Sequence, residues 1–162
     1  MNDFEIKVVK TTNLEIMQQC IDIVCENLVV NGGTLKFPTI IYRCQYIICA
    51  VKDDKVLGFA GMVKNFAKAN DFYIMQIAVH KPEMGKGIGS ALMEYLIHHS
   101  RGFDYITSNA EENNVASNNL HLKMGFEQFK SNSGYFYILP TEKIRDNAYI
   151  HFTEEEKENE DI

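Results

Sequence analysis

A glycine-rich segment carries the clearest chemical signal in the sequence. Positions 78–92 read AVHKPEMGKGIGSAL, a β-rich ending followed by three alternating glycines (Gly85, Gly87, Gly89) and the start of an amphipathic stretch. Glycine lets the backbone adopt turns that a Cβ forbids, and it lets peptide N–H groups approach an anion closely. The start of a helix adds unpaired N–H groups and the positive end of the helix dipole. The segment therefore predicts a site for a phosphate group.

The glycines alone leave a second interpretation open, in which the segment is only a strand-to-helix turn that needs glycine. Two common phosphate loops can be tested against the sequence. A Walker A loop has Ser or Thr after its Gly-Lys pair, but Gly87 follows Lys86 here. A dinucleotide-binding loop has a third glycine where this chain has Ser90, and it normally follows the first strand of a parallel fold. Neither loop fits the sequence.

The periodicity of the apolar residues predicts the elements that position this segment. Strands are expected over 4–10, 46–51, 56–63, 72–79, 105–110 and 135–139. Helices are expected over 14–28, 88–99 and 114–124, with Thr12 or Asn13 as a cap for the first and Asn113 or Asn114 as a cap for the last. The stretch 31–43 has no clear period and is expected to be a variable loop or a short helix. This order predicts an α/β (α+β) fold in which helices flank a mixed sheet.

Three local patterns give finer predictions. The four polar residues 52–55 have the length of a connection between antiparallel neighbours, so they predict a hairpin. The last helix is expected to carry an apolar stripe on one side and a polar stripe, which includes His121, on the other. The apolar face expected for the first helix is Leu14, Met17, Ile21, Val24 and Leu28. For the last helix the apolar stripe is Ala116, Leu120 and Met124, and the polar stripe is Asn113, Ser117 and His121.

Composition limits the classes of function. The 162 residues carry a formal charge of -6, which argues against binding nucleic acid through its phosphates. No apolar run is long enough to cross a bilayer and the N-terminus is acidic, so we expect a cytoplasmic protein that does not bind membranes. Residues 153–162 hold six acidic residues and one base, which predicts a solvated acidic tail after a single domain over residues 1–152.

The four cysteines form two pairs in the sequence, Cys20 with Cys25 and Cys44 with Cys49. A separation of five residues places the members of a pair on different sides of a helix or on opposite faces of a strand. Neither spacing matches that of a zinc site. We therefore expect free thiols, most of them buried, and no metal site.

The glycine segment and a second motif together resemble the GNAT superfamily of acetyl-CoA-dependent N-acetyltransferases. The pyrophosphate loop of that family reads Q/R-x-x-G-x-G/A, and Gly87 and Gly89 fill its glycine positions. The second motif is roughly N-x-x-A-x-x-L-Y-x-x-x-G-F, which Asn114, Leu120 and the Gly125-Phe126 pair match. The resemblance covers about residues 4–139. It implies a mostly antiparallel central sheet of six to seven strands, flanked by about four helices.

The resemblance also implies a set of residues that bind acetyl-CoA as a co-substrate. The strand before the loop would hold the pantetheine arm through its backbone, and the loop would hold the pyrophosphate. Met84 departs from the family, since it replaces the usual Arg or Gln, but its backbone amide is still available. The implied coenzyme-binding residues are Ile77, Ala78, Val79, Met84, Gly85, Lys86, Gly87, Ile88, Gly89, Ser90, Asn114 and Asn118.

Two further departures concern catalysis. His121 stands where the family often has a Tyr that protonates the departing CoA thiolate, and imidazole titrates near neutrality. Tyr73 stands where histone-acetylating relatives have a Glu, so the base is expected to be water or another residue. The candidate catalytic residues are therefore His121 and Tyr73. A solvent-facing His121, or one that is hydrogen-bonded without a catalytic role, is the alternative.

The function implied by the resemblance is acetyl transfer from acetyl-CoA to a primary amine of a small molecule or peptide, directly in a ternary complex. A non-catalytic acyl-CoA-binding regulatory module is the alternative, and an interaction role for the acidic tail is a third. In this family the acceptor is recognised by the region that corresponds to residues 31–45 and by segments after the fifth strand. A homodimer is also expected, because a second copy often covers the sheet edge.

Overall fold

The computed structural model describes residues 3–30, 43–65, 70–100 and 102–142. These residues form seven strands in one mixed sheet, and three α-helices. The strands are β1 (Glu5–Val9), β2 (Tyr46–Lys52), β3 (Lys55–Asn65), β4 (Asp71–Val79), β5 (Tyr105–Glu111), β6 (Glu127–Ser131) and β7 (Gly134–Pro140). The helices are α1 (Leu14–Val30), α2 (Ile88–His99) and α3 (Val115–Lys123). The strand order is β1-β2-β3-β4-β5-β7-β6, which confirms the predicted class and strand number.

Two features differ from the sequence prediction. Among the described residues there are three α-helices, with a 3-10 turn at Lys81–Glu83, rather than about four helices. Strand β6 was not predicted, because all five of its residues are exposed and its sequence EQFKS lacks an alternating apolar pattern. Residues 31–42 of the predicted variable stretch lie outside the described residues, and so does the predicted acidic tail, residues 153–162.

The contacts divide the chain into two compact units. Unit 1 comprises Met1–Val63 and Met75–Leu92, and unit 2 comprises Lys64–Ile74 and Met93–Ile162. In unit 1, β2 pairs antiparallel with both β1 and β3. Helix α1 begins with the Asn13 side chain, whose Oδ1 accepts from the Ile16 amide at 3.3 Å. This hydrogen bond confirms Asn13 as the cap.

The core of unit 1 lies between α1 and the strands. The buried residues of the helix, Met17, Cys20, Ile23 and Val24, pack in one cluster with Ile47, Cys49 and Phe59. The predicted helix face was partly wrong, because Leu14 is 71% exposed and Cys20 and Ile23 are buried instead. Leu14 is the first residue of the helix. Its apolar character therefore says little about the orientation of the helix.

The hairpin between β2 and β3 is tighter than predicted. Lys52 and Lys55 are paired across the strands, so the turn consists of Asp53 and Asp54 alone. Both aspartates have positive φ, 49° and 60° respectively. A two-residue turn with both φ values positive matches the right-handed twist of the strands, and Asp tolerates that conformation better than most residues.

The cysteines are free, and Cys20, Cys44 and Cys49 are buried while Cys25 is half-buried. The fold brings together a pair that the sequence spacing did not indicate. Cys20 of α1 lies 3.7 Å from Cys49 of β2, measured between the sulfur atoms. The hydrogen bond with Cys20 and burial both raise the pKa of Cys49, so its thiol stays protonated in the folded chain.

Unit 2 contains the parallel pair of the sheet. Strand β5 pairs parallel with β4 from Asp71 to Ile74 and antiparallel with β7, and β6 pairs antiparallel with β7. Phe72 of β4 stacks on Phe103, with ring centroids 4.8 Å apart. The β4–β5 register ends at Ile74 and Ser108, although both strands continue beyond these residues.

Gly61 of β3 is a position where no side chain fits. A Cβ there would lie 2.4 Å from the Cys44 sulfur. We expect Gly61→Ala to lower the free energy of unfolding by about 1–3 kcal/mol, the usual cost of overpacking a core. Urea unfolding of unliganded protein measures the change.

Gly102→Ala is the matched control for that variant, because a Cβ there meets no atom within 4 Å. The double variant Gly61→Ala/Cys44→Ala removes the clashing sulfur and should recover part of the loss. Equal stability of Gly61→Ala and Gly102→Ala would show that the Cys44 contact does not restrict this position.

Candidate functional site

The segment between β4 and α2, residues 81–87, forms the glycine turn, and it lies entirely in unit 1. It opens with the 3-10 turn Lys81–Glu83 and ends where α2 begins at Ile88. Gly85 and Gly87 have positive φ, 80° and 83°, so both take a backbone conformation that other residues rarely adopt. A Cβ built at either glycine meets no atom within 4 Å. The backbone of the glycine turn therefore has open space beside it.

The start of α2 is fixed by packing in unit 1. Ile88 is only 2% exposed, and the Ala91 amide donates to the Gly87 carbonyl at 3.0 Å to close the first helical turn. Gly58 of β3 allows this arrangement, since a Cβ there would lie 3.0 Å from the Ala78 carbonyl oxygen and 3.0 Å from Ile88 Cγ2. The N-terminus of α2, whose first amides have no acceptor within the helix, thus has a defined position at the end of the glycine turn.

The charged side chains of the glycine turn are Lys81, Glu83 and Lys86. The Lys86 Nζ lies 3.0 Å from Glu83 Oε2, and the lysine side chain is 62% exposed. Met84, at the position where the family has Arg or Gln, is half exposed. An anion at this turn would therefore meet backbone amides and two exposed ammonium groups, of which that of Lys86 has a carboxylate partner.

Helix α1 contacts the residues that lead into the glycine turn, which the sequence did not indicate. Glu26 Oε2 accepts from His80 Nδ1 at 2.9 Å and from the Lys81 amide at 3.2 Å. The neighbouring Asn27 donates from Nδ2 to the Val79 carbonyl at 3.2 Å. The hydrogen bond from His80 is the main cause that lowers the pKa of Glu26, so this carboxylate stays charged.

Tyr73 lies in unit 2, on the part of β4 that pairs with β5. Its hydroxyl accepts a hydrogen bond from Asn109 Nδ2 of β5 at 2.9 Å. Two residues earlier, Thr107 Oγ1 donates to the buried Asp71 at 2.6 Å and ties the same two strands together. Because the phenol oxygen is the acceptor toward Asn109, the hydroxyl proton of Tyr73 is available for another partner.

His121 does not face solvent, which corrects the predicted polar stripe of α3. Its ring is 1% exposed, stacks on Tyr137 with centroids 4.3 Å apart, and meets the edge of Phe126 at 5.1 Å. Nδ1 donates to the Ser117 carbonyl at 2.7 Å. Within the described part of the chain, Nε2 is buried with no hydrogen-bond partner. This arrangement favours a neutral imidazole, and burial lowers the pKa of His121.

The predicted apolar stripe of α3 is partly wrong, because Leu120 and Met124 are half-buried but Ala116 is exposed, and the buried residues of the helix are Asn118 and His121. Asn118 uses its whole amide inside the chain. Nδ2 donates to the carbonyls of Glu111 and Glu112 at 3.0 and 3.3 Å, and Oδ1 accepts from the Tyr137 hydroxyl at 2.7 Å. The helix is thus attached to the end of β5 and to β7 by hydrogen bonds.

The other asparagine of the second motif caps the helix. Asn114 Oδ1 accepts from the Ser117 amide at 3.2 Å, and its residue is exposed. Close by, a surface cavity of about 430 Å³ is lined by Glu111, Glu112, Asn113 and Ser133. Within the described ranges 3–30, 43–65, 70–100 and 102–142, no group of three or more His, Cys, Asp or Glu side chains could hold a metal ion.

The candidate residues fall into two groups. The backbone of Ile77–Val79 and the residues from Met84 to Ser90 lie in unit 1. Tyr73, Asn114, Asn118 and His121 lie in unit 2, where α3 places the last three on one short helix and its cap. Most of the region expected to recognise the acceptor, residues 31–45, lies outside the described residues, which resume at position 43.

A match to a protein-family model identifies the family of this chain. The model described as the acetyltransferase (GNAT) family matches residues 18–126, more than half of the chain. The chain belongs to the GNAT acetyltransferase family. The match includes the glycine turn and ends at the last residue of the second motif, so the resemblance seen in the sequence is confirmed and the protein is a GNAT-type acyltransferase. A comparison with curated protein sequences finds no significant match.

Solved GNAT structures share the fold at low identity. An N-acetyltransferase from Staphylococcus aureus is 20% identical with a TM-score of 0.64, covering 86% of this chain and 99% of its own. An aminoglycoside 6'-N-acetyltransferase complexed with coenzyme A is 15% identical with a TM-score of 0.68, covering 85% and 97%. The NatC complex bound to a Gag peptide and CoA is 22% identical with a TM-score of 0.63, covering 86% and 99%.

One more observation concerns membranes. None of the helices in the described residues combines the length and the apolar character needed to span a bilayer.

The burial of His121 predicts a pH dependence of stability in this GNAT protein. Since the folded-state pKa of His121 is below that of the unfolded chain, the unfolded state binds the proton first as the pH falls. Stability should therefore decrease as the pH drops through the unfolded value of about 6.5 and level off below the folded value. We expect His121→Phe to show a smaller loss between pH 7.5 and 5.5 in urea unfolding. An unchanged pH slope in the variant would mean that His121 is not the titrating group.

Proposed function

We propose that this GNAT protein transfers an acetyl group from acetyl-CoA directly to a primary amine of a small molecule or peptide, in a ternary complex. The observation that carries the proposal is the glycine turn, where two positive-φ glycines and a helix N-terminus leave backbone amides beside open space. Such a site suits the pyrophosphate of CoA. Structural neighbours with CoA bound support the same donor.

The proposed coenzyme site extends from the glycine turn along β4. The backbone of Ile77–Val79 would hold the pantetheine arm, and it follows the point where the β4–β5 register ends. Gly85, Gly87 and the start of α2 would hold the two phosphates through peptide N–H groups. In this proposal Asn114 and Asn118 also contribute to the coenzyme site, Asn114 as the exposed cap of α3 and Asn118 by holding α3 at the end of β5.

The reaction determines what the side chains must do. The amine nitrogen attacks the thioester carbonyl, the C–S bond breaks, the sulfur takes a proton and the new ammonium loses one. In the proposal Tyr73 handles one of these protons, because its hydroxyl is oriented by Asn109 and keeps its proton to donate. His121 is the second candidate for the proton on sulfur. For that role its Nε2 would have to carry a proton in addition to the Nδ1 proton held by Ser117.

Because His121 would need this second proton, a second candidate function remains, namely a non-catalytic module that binds acyl-CoA. A buried His121 with a lowered pKa is seldom doubly protonated at neutral pH, so it would be a poor replacement for the family Tyr. Release of free thiol in the presence of acetyl-CoA and a panel of amines separates the two functions. Turnover supports the transferase, and binding without turnover supports the module.

The proposal also covers the domain bounds, the localisation and the oligomeric state. We place the single acyltransferase domain at residues 1–152, with 153–162 as an acidic tail, and the protein in the cytoplasm. The edge strands of the sheet are β1 and β6, and β6 is exposed along its length with Phe129 half exposed. A second copy that covers β6 would form the proposed homodimer.

Gly87→Glu tests the coenzyme site. The new carboxylate enters the open space beside the turn, where it would repel a diphosphate. We expect the affinity for acetyl-CoA, measured by isothermal titration calorimetry, to fall at least about tenfold, which corresponds to about 1.4 kcal/mol.

Gly125→Glu is a closely matched control, because Gly125 also has a positive φ, 89°, and also has no atom within 4 Å of a Cβ. It introduces the same charge and the same backbone strain at the end of α3. Its affinity should stay within about twofold of the wild-type value. If wild-type protein gives no binding heat with acetyl-CoA, the proposed function is wrong.

Tyr73→Phe tests proton handling. Loss of the hydroxyl should lower kcat by about 100-fold, within the usual range for a positioned acid or base, and leave the Kd of acetyl-CoA unchanged. Tyr105→Phe, on the neighbouring strand, removes an exposed tyrosine hydroxyl as a control. A wild-type kcat in Tyr73→Phe would remove Tyr73 from the mechanism.

A further inference from the structure

The glycine turn is held in place from outside, by helix α1. The residues that precede and open the turn, Val79, His80 and Lys81, each have a hydrogen bond to α1. Two adjacent residues of the helix, Glu26 and Asn27, make all three. All of these residues belong to unit 1, so the contact lies within one compact body.

The carboxylate of Glu26 is the centre of this contact. One oxygen, Oε2, accepts from both the His80 ring and the Lys81 backbone amide. These two donors belong to consecutive residues, so a single atom fixes both a side chain and the backbone. The Glu26 side chain is only 30% exposed, and its pKa is lowered mainly by the hydrogen bond from His80. Charge-assisted hydrogen bonds of this kind are about twice as strong as neutral ones.

Besides these hydrogen bonds to α1, the described contacts of the turn are few. The His80 amide donates to the Leu57 carbonyl of β3 at 2.8 Å, and Ile88 is buried at the far end. Between these points the residues from Met84 to Gly87 are exposed, and the hydrogen bonds given for Glu83, Met84 and Lys86 run within the segment 80–86. The residues that lead into the glycine turn are therefore held by one hydrogen bond to β3, from His80, and by hydrogen bonds of Val79, His80 and Lys81 to α1.

We propose that Glu26 is a positioning residue for the coenzyme, acting through His80 and the Lys81 amide on the glycine turn. This inference rests on the proposed function. Backbone amides bind an anion well only when their positions are held to within about 0.5 Å, because the ligand otherwise has to order the turn itself. Glu26 supplies that order before the coenzyme arrives. Its removal should weaken binding without changing the chemical step.

The experiment compares Glu26→Ala, Glu26→Gln and the control Asp22→Ala. Asp22 is an exposed carboxylate of the same helix, and its side chain accepts from Gln18 within α1. Calorimetry with acetyl-CoA and initial rates with an accepted amine give Kd, KM and kcat. We expect Glu26→Ala to raise Kd and KM for acetyl-CoA about tenfold, with kcat within twofold of wild type. Glu26→Gln keeps an oxygen acceptor for the Lys81 amide and should raise them only about threefold.

The outcomes distinguish this inference from the proposed function. Wild-type protein that does not bind acetyl-CoA contradicts the proposed function and, with it, this inference. Wild-type binding with an unchanged Kd in both Glu26 variants contradicts the inference alone, and so does a loss in Asp22→Ala equal to that in Glu26→Ala. A fall in kcat at unchanged KM for acetyl-CoA would also overturn it, since Glu26 would then act on the reaction rather than on the turn. If Glu26→Ala fails to fold, Glu26→Gln decides by the same criteria.

Discussion

A backbone that binds an anion has to be held by something other than the anion. The glycine turn of this GNAT protein satisfies this constraint from three sides. Ile88 is buried beneath the first turn of α2, Gly58 lets β3 approach the end of β4, and Glu26 binds the entry of the turn. Each contact uses a different interaction: apolar burial, the absence of a side chain, and a charge-assisted hydrogen bond. The two positive-φ glycines can then stay exposed without losing a defined conformation.

In unit 2, a buried polar cluster holds helix α3 against the strands. Tyr137 of β7 donates to Asn118 of α3 and accepts from Gln128 of β6, while Asn118 donates to two carbonyls at the end of β5. A short helix with an exposed Ala116 and Leu122 cannot be held by apolar contacts alone. Buried polar groups are costly unless they are paired, so a satisfied cluster fixes one arrangement of these elements and penalises others. His121 completes the cluster by stacking on the same tyrosine.

The sequence predicted the elements whose signal is local. A few neighbouring residues are enough to predict a strand with an alternating or continuous apolar pattern, a glycine turn or a helix cap. The structure contains these strands, the turn at Gly85 and Gly87, and the caps Asn13 and Asn114. What could not be read depends on distant partners. Asn118 and His121 are buried because Tyr137 and the Glu111 carbonyl face them, and periodicity within α3 carries no information about either. Glu26 likewise looks like any solvated helical carboxylate until the fold brings His80 to it, 54 positions further along the chain.

The hydrogen bonds of Tyr73 and His121 bear on how protons would move during the proposed acyl transfer. A leaving thiolate needs a donor that holds a proton before the reaction and tolerates losing it. The Tyr73 hydroxyl keeps its proton free for another partner, because its oxygen accepts from the Asn109 amide. The His121 ring already donates its Nδ1 proton to a carbonyl, and adding a second proton would place a charge in a site that is 1% exposed. The hydrogen bonds therefore favour Tyr73 as the residue that exchanges protons with the substrates, and they favour His121 as part of the framework that keeps α3 against β7.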